Sequence, residues 1–508
     1  MKYFGKSLLL ASVMLSACTV GPNYTAPETQ LPPAFTGPAP IDDAIDPARW
    51  WTYYKDPELT SLIARAVEGN PDIAIAAARV RQARLQEIAA RAKGLPSLDA
   101  QASVSQLELS KNAGFANLAR AFGGGGSAGS GGPGGGATNG VALPGGGITT
   151  YAAGFDANWE LDLFGGAKRG TEAAIARTEA AIWNARDAEV MLAGEIAQAY
   201  FALRFDQQQM DVIQTEIAAQ QRVVDIAAHS AEVGLIPAIE AINARQQLTA
   251  DQARIEPIRA DMAVRRHAIA LLLGDQPGAL DGELAHFDAP LVTAPIVPPG
   301  LPSDLLRRRP DIRAAERNLA ASTADIGVAV ADLYPKFSLT GMVQLISTAL
   351  SSLISTDSLQ LTGSALGQFP IFDFGQRKAA VAGREAARDE AYLQYRKTVL
   401  NALRDVEDPL AQIDTERRRN GVLAQGVADA QANAKAVEAR YAAGFVSEDA
   451  ALKARAQWLS AREQLAQSDA QLRQYSIALF KALGGGWEGV ETERQAGFDA
   501  AAFTDPAK

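Results

Sequence analysis

Residues 151–163 read YAAGFDANWELDL, and their alternation is the clearest sign of the architecture. Tyr151, Ala153, Phe155, Ala157, Trp159, Leu161 and Leu163 fall on one face of an extended chain, and Asp156, Asn158, Glu160 and Asp162 on the other, because successive strand side chains point to opposite sides. Taken alone, the pattern also fits the edge of a soluble antiparallel sheet. Residues 335–345 repeat it, with Phe337, Leu339, Val343 and Leu345 opposed to Lys336, Ser338, Thr340 and Gln344. Residues 97–109 and 358–372 alternate less regularly, changing phase near Gln106 and Leu107 and around Leu366. Segments of about 10 to 15 residues with one apolar and one polar face fit membrane β-barrel strands. Four strands cannot close a barrel. In hydrocarbon an open edge leaves backbone donors and acceptors unpaired, so other chains must complete the sheet.

The stretches between the strands are helical in composition. Residues 168–231 contain no proline and are rich in Ala, Glu, Gln, Arg, Leu and Ile, residues of good helix propensity. A helix of roughly 64 residues is about 96 Å long. Val190, Ile196, Tyr200, Leu203, Ile213, Ile217 and Val224 are its candidate packing positions. The same architecture occurs twice. Asn70-Pro71-Asp72 matches Arg309-Pro310-Asp311 at an offset of 239 residues. Val233-Gly234-Leu235 matches Ala443-Gly444-Phe445, and Leu273-Gly274 matches Leu483-Gly484, at an offset of 210. A glycine tract in the first half, residues 121–147, accounts for the difference. Fourteen of the 25 residues from Gly123 to Gly147 are glycine, which predicts a flexible exposed loop; without a Gly-Lys-Ser/Thr ending it is not a phosphate loop.

These landmarks partition the chain of 508 residues. The first repeat is expected over 56–300, with strands about 97–112 and 150–163 and long helices about 168–231 and 236–273. The second is expected over 301–487, with strands about 335–347 and 358–372 and helices about 376–443 and 446–484. Residues 488–508 read as a tail, either part of a central belt or disordered. Residues 1–17 read as an export signal, because Lys2 and Lys6 precede an apolar run from Leu8 to Leu15 that is too short to span a bilayer. Leu15-Ser16-Ala17-Cys18 resembles a lipoprotein processing site, so Cys18 is the expected point of lipid attachment. The proline-rich stretch that follows makes 18–55 an expected lipid-anchored tether.

Composition narrows the function classes. Hydrophobic residues make up 47% of the chain and charged residues 21%, and the net charge is −10. That charge disfavours a nucleic-acid binder. One cysteine and three scattered histidines do not suit a disulfide scaffold or a zinc site. Asp42 and Asp43 sit in the expected tether, where a positioned acid–base pair is not expected. Neither catalytic nor metal-ligating residues are assigned, and no cofactor is expected beyond the lipid on Cys18.

Several separated motifs occur in a recognisable order: Cys18-Thr19-Val20-Gly21-Pro22-Asn23-Tyr24, Trp50-Trp51, Asn70-Pro71-Asp72, residues 159–165 (WELDLFG), residues 306–312 (LRRRPDI) and Phe372-Asp373-Phe374-Gly375. With them the chain resembles the outer-membrane factor family, in particular its lipoprotein branch of tripartite multidrug efflux channels, from Cys18 to about Trp487. The resemblance implies a mixed α/β, predominantly helical fold. Three chains would form one membrane β-barrel with four strands each, continued by a long periplasmic α-helical barrel. The implied partners are two further copies in a homotrimer, a periplasmic membrane-fusion adaptor, an inner-membrane efflux pump and outer-membrane lipid. The implied function is passive conduction of small molecules to the cell exterior. A channel for protein secretion and a periplasmic lipoprotein adaptor are the alternatives.

Family members meet their adaptors at the tips of the long helices, which places candidate contacts at Val233, Gly234, Leu235, Tyr441, Gly444 and Phe445. Acidic residues near those ends could attract cations or hold a closed iris. The candidate gate or tunnel charges are Asp225, Glu232, Asp405, Asp408, Asp429 and Glu438, although a solvated helix face would also explain each. Pro409 suggests a bend beside the cluster of Asp405, Glu407 and Asp408.

Overall fold

A computed structural model describes residues 19–35, 47–107, 148–286, 292 and 302–487. The expected signal peptide, Cys18, the glycine tract, strand residues 108–112 and the tail lie outside the described residues.

The α-helices among the described residues are labelled in chain order: α1 Pro57–Gly69, α2 Pro71–Ala92, α3 Gly166–Glu232, α4 Ala238–Ala253, α5 Ile255–Leu273, α6 Pro302–Arg308, α7 Pro310–Ala331, α8 Gln376–Ala442 and α9 Glu448–Ala482. The strands are β1 Ser97–Leu107, β2 Ile148–Leu161, β3 Lys336–Ser347 and β4 Leu359–Gln368. Helices α3 and α8 each have 67 residues, about 100 Å at 1.5 Å per residue. One expected helix is divided and one expected strand is shortened. The helix expected over 236–273 is broken at Arg254, because Pro257 has no N–H to continue the ladder. The strand expected to reach residue 372 stops at Gln368, two residues before Pro370, which cannot donate to a sheet. Pro409 lies within α8, and the helix continues through it.

The described chain divides into two compact units. The units do not coincide with the two repeats, because each draws segments from both halves. One unit contains the described parts of Met1–Asn23, Glu87–Ala173 and Thr323–Glu385. Its centre is an antiparallel sheet in the order β1-β2-β3-β4. The register aligns the four alternations. Ala100, Phe155, Val343 and Leu361 form one cross-strand row, and Ala102, Ala153, Leu345 and Leu359 form the next. The opposite face carries Gln101, Gly154, Gln344 and Gln360 in one row and Asn158, Thr340 and Ser364 in another. On that face Gln344 Nε2 donates to Gln360 Oε1 at 3.2 Å, and the Thr340 and Ser364 hydroxyls lie 2.5 Å apart. Leu366 stays in phase but belongs to the polar face, opposite Ser338. Gly154 is required by close approach, since a Cβ there would collide with the Val343 carbonyl oxygen.

This sheet has little covering it. Phe155 is 56% exposed and Leu361 70%. Among the described residues its edge strands β1 and β4 each pair with one neighbour only. A face with this much exposed apolar surface marks a membrane or protein contact.

The second unit contains the described parts of Tyr24–Gln86, Ala174–Ser322 and Ala386–Lys508. Its core forms around the short 3-10 helix Pro47–Tyr54, where Trp50 stacks on Phe480 with ring centroids 5.0 Å apart and Tyr54 meets Phe201 at 4.6 Å. Residues 47–54 are therefore core rather than tether. Asp56 starts α1 by accepting from the Glu58 and Leu59 amides, and its other oxygen accepts from the Tyr200 hydroxyl of α3 at 2.8 Å. One cap thus serves both local structure and packing. Tyr24, in the expected tether, donates to Glu316 at 3.1 Å, and Thr29 meets the Tyr395 hydroxyl at 3.2 Å.

Glu189 is an exception to satisfied burial. It is 1% exposed, and neither carboxyl oxygen has a hydrogen-bond partner among the described residues. Burial pushes its pKa up to about 8, against the pull of Arg186. The folded state therefore keeps the proton while the unfolded chain releases it, so stability falls as pH rises from about 4.5 to about 8 and levels off above that.

Both the sheet face and the buried carboxyl can be tested by substitution. Phe155→Arg should cost about 2 to 4 kcal/mol if the apolar face meets lipid near the bilayer midplane. A lower yield of heat-resistant oligomer on gels would show this, and an unchanged yield would contradict it. Glu189→Gln should flatten the decline in thermal unfolding temperature between about pH 5 and pH 8, and parallel wild-type and variant curves would contradict the burial argument.

Candidate channel wall, helix tips and charge cluster

Helices α3 and α8 end in the same way. Beyond α3, Leu235 N–H donates to the Ser230 carbonyl at 2.8 Å and Gly234 N–H to Ala231 at 3.1 Å. Beyond α8, Phe445 N–H donates to Arg440 at 2.9 Å and Gly444 N–H to Tyr441 at 2.8 Å. These paired bonds satisfy carbonyls left over at a helix end, and they need a left-handed residue. Gly234 and Gly444 supply it, with φ of +79° and +77°. A Cβ at either glycine would meet nothing within 4 Å. The turns are therefore held by their own backbone.

The turns present apolar side chains to solvent. Leu235 and Phe445 are each 77% exposed, and Val233 is also exposed. Tyr441 donates to Glu448 Oε2 at 3.2 Å, a bond that pushes the tyrosine pKa up. Pro237 caps α4 and Ser447 caps α9, its hydroxyl accepting from Ala450 N–H at 3.4 Å.

The six candidate charges do not form one constellation. Asp225, Glu232, Asp429 and Glu438 lie on exposed helix surface. Asp225 accepts from Gln221 at 2.9 Å and Asp429 from Gln425 at 3.4 Å, both within a helix turn. Asp408 is exposed, and Asp405 is half-buried in an ion network. The centre of that network is Arg309, which pairs with both oxygens of Asp311 at 3.0 and 2.7 Å and with Asp405 at 3.3 Å. Its remaining arm donates to the Ala482 carbonyl at 3.0 Å. Asp187, Asp408 and Lys481 join these groups around a cavity of about 620 Å³. Burial, and then the charge of Asp311, push Asp187 up to about 6.

Arg309 has no place among the sequence candidates, although its motif is visible as half of the repeat. Asn70, its counterpart, donates to the Leu272 carbonyl at 2.8 Å and accepts from the amides of Asp72 and Ile73. Each repeat thus ties the start of one helix to the last turn of another. A repeated motif whose paired residues differ in charge is the signal that could have found it. Among the described residues no cluster suits a metal ion and no helix is long and apolar enough to cross a membrane.

A four-stranded sheet with an apolar outer face, together with two matched helical hairpins, defines a subunit of an outer-membrane channel. The chain belongs to the outer membrane efflux protein family, whose model matches residues 62–275 and 301–485. It is 29% identical over 491 residues to outer membrane protein OprJ of Pseudomonas aeruginosa, covering 96% of each chain. It is 28% identical over 489 residues to nodulation protein T of Rhizobium leguminosarum bv. trifolii, covering 94% of this chain and 97% of that one. The solved structure of the outer-membrane channel OprN superposes with a TM-score of 0.80 at 30% identity, covering 93% of this chain and all of that one.

The two kinds of charge should respond differently to removal. Arg309→Ala leaves Asp311 and Asp405 without their shared cation and should cost about 3 kcal/mol. Asp225→Asn and Glu438→Gln should stay within about 0.5 kcal/mol of wild type. Denaturant midpoints of the purified protein measure both, and equal midpoints for all three variants would contradict the distinction.

Proposed function

We propose that this chain is the outer-membrane exit duct of a tripartite efflux system. The observation that carries this reading is the sheet, with an apolar face exposed, a polar face opposite and both edge strands open. Three copies bring twelve strands together, so that each β4 edge is closed by a neighbour's β1. The apolar rows face lipid, and the polar rows line a wet path. The helices continue that path through the periplasm, and an inner-membrane pump supplies the energy. The duct performs no chemical step: it lowers the barrier to crossing by keeping a charged or polar solute in water. Small molecules are its cargo, in keeping with relatives such as the toluene efflux pump outer membrane protein TtgI of Pseudomonas putida. A lipid on Cys18 adds a second membrane attachment.

The helix tips are the docking points for a periplasmic adaptor. Leu235 and Phe445 project apolar surface from turns that need no outside support, so they can be changed without unfolding the hairpins. Leu235→Asp together with Phe445→Asp should leave circular dichroism and oligomer mass unchanged, abolish crosslinking to the adaptor and restore drug sensitivity in cells. Retained crosslinking and resistance would contradict tip docking.

A further inference from the structure

The junctions that follow β2 and β4 carry the same motif in opposite surroundings. Trp159, Phe164, Gly165 and Lys168 match Phe369, Phe374, Gly375 and Lys378 at the offset of 210 residues. At the first junction the chain itself covers the motif. Phe164 stacks on Tyr334 with ring centroids 4.7 Å apart, Lys168 Nζ donates to the Thr19 hydroxyl at 3.3 Å, and a Cβ on Gly165 would lie 2.8 Å from Thr19 Cγ2. The second junction faces outward. Phe369, Ile371, Phe372 and Phe374 are exposed, Phe374 by 92%. A Cβ on Gly375 would meet nothing within 4 Å, and Lys378 is exposed and makes no ion pair among the described residues.

This outward display is built into the turn. Asp373 caps α8 by accepting from the Gly375 amide at 3.0 Å and the Arg377 amide at 3.3 Å, and it pairs with the Arg377 guanidinium at 3.4 Å. Phe374 has φ of +53°, a conformation that a bulky side chain adopts only under strain. Its ring lies 4.5 Å from that of Phe372. A pair of rings held outward in a strained turn points to a partner outside the chain.

Charge and position identify that partner. Between residues 369 and 384 a single acid, Asp373, stands against Arg377, Lys378 and Arg384, whereas the matching stretch 159–174 has three acids to two cations. The excess of positive charge suits an anion, and the exposed rings suit an apolar body attached to it. Phe369 and Ile371 also extend in sequence the odd-numbered apolar series Leu359, Leu361 and Ala365 of β4. The junction is therefore continuous with the face of the sheet that meets lipid. Aromatic rings and lysines at the end of a membrane strand suit the level where acyl chains give way to headgroup phosphates.

We propose that Lys378, Phe372 and Phe374 form a docking site for an anionic phospholipid of the periplasmic leaflet, with the amine on the headgroup phosphate and the rings against the upper part of the acyl chains. The proposal rests on the reading that the apolar face of the sheet meets lipid. The first junction is not a second such site, because Thr19 and Tyr334 take up the equivalent positions. Each chain of the trimer thus holds one lipid at this level.

The test is native mass spectrometry of the full mature trimer, released from mixed micelles that contain equal amounts of phosphatidylglycerol and phosphatidylcholine. The trimer mass itself reports that each variant assembles. Wild type should retain one phosphatidylglycerol per chain and several-fold less phosphatidylcholine. Lys378→Gln should remove this preference, and Lys168→Gln should keep it. Phe374→Gly suits the left-handed backbone and preserves the turn, so it should lower retention of both lipids several-fold without loss of trimer. An unchanged preference in Lys378→Gln, or an equal loss in Lys168→Gln, would overturn the proposal. Leu95 matches Tyr334 at the offset of 239, so a disulfide between Phe374→Cys in one copy and Leu95→Cys in another would mean that a second copy covers the ring, and would overturn it as well. Lipid retained by wild type without headgroup preference would overturn the site and leave the lipid-facing sheet standing. A wild-type trimer that retains neither lipid would overturn both.

Discussion

The edges of β1 and β4, unpaired among the described residues, constrain everything else in this protein. Each edge carries a row of backbone N–H and C=O groups that water can satisfy and hydrocarbon cannot. A four-stranded sheet whose apolar face is exposed has to lose its edges before it can sit in a membrane. Closure by further copies removes them without adding a single residue to the chain. The polar rows then face inward by register alone, because a strand cannot turn one side chain outward without turning the next inward. Gly154 shows how tightly that register is set, since no other residue fits between β2 and the Val343 carbonyl.

The helical part solves a different problem, which is to hold two 67-residue helices in defined partnerships. Intrinsic propensity can make such helices but cannot place them. Placement comes from a large aromatic core around Trp50, Tyr54, Tyr200 and Phe480 and from polar ties that reach across the chain. Asn70 and Arg309 perform the same tie in the two repeats with different chemistry. The amide brings no charge into the interior, whereas the Arg309 guanidinium is bound by the carboxyl groups of Asp311 and Asp405.

Much of this is legible in the sequence, for reasons that differ by element. The alternation of residues 151–163 needs only local geometry, so β2 and its partner β3 can be read directly. The glycines at 234 and 444 can be read as turns because a left-handed residue at a helix end favours glycine. The tether reading fails over part of its length because composition describes what a segment would do alone. Tyr24 and Thr29 find partners 292 and 366 residues away, and no local pattern records that. Pro257 is easily passed over within a stretch of good helix formers, although its missing N–H breaks the helix at Arg254. Nearness to the tips along the chain groups Asp225, Glu232, Asp429 and Glu438 in sequence, and nearness to Pro409 groups Asp405 with Asp408. The structure separates them, because four lie on solvated helix surface and Asp405 belongs to the network around Arg309.

If chains with open sheet edges close one another into a conducting duct, closure and conduction must appear together. Planar-bilayer conductance of the detergent-purified mature protein, recorded with its oligomeric mass in the same detergent, reads both at once. A trimeric mass with discrete conductance steps is expected. A monomeric mass without conductance, with or without the adaptor, would contradict closure by further copies.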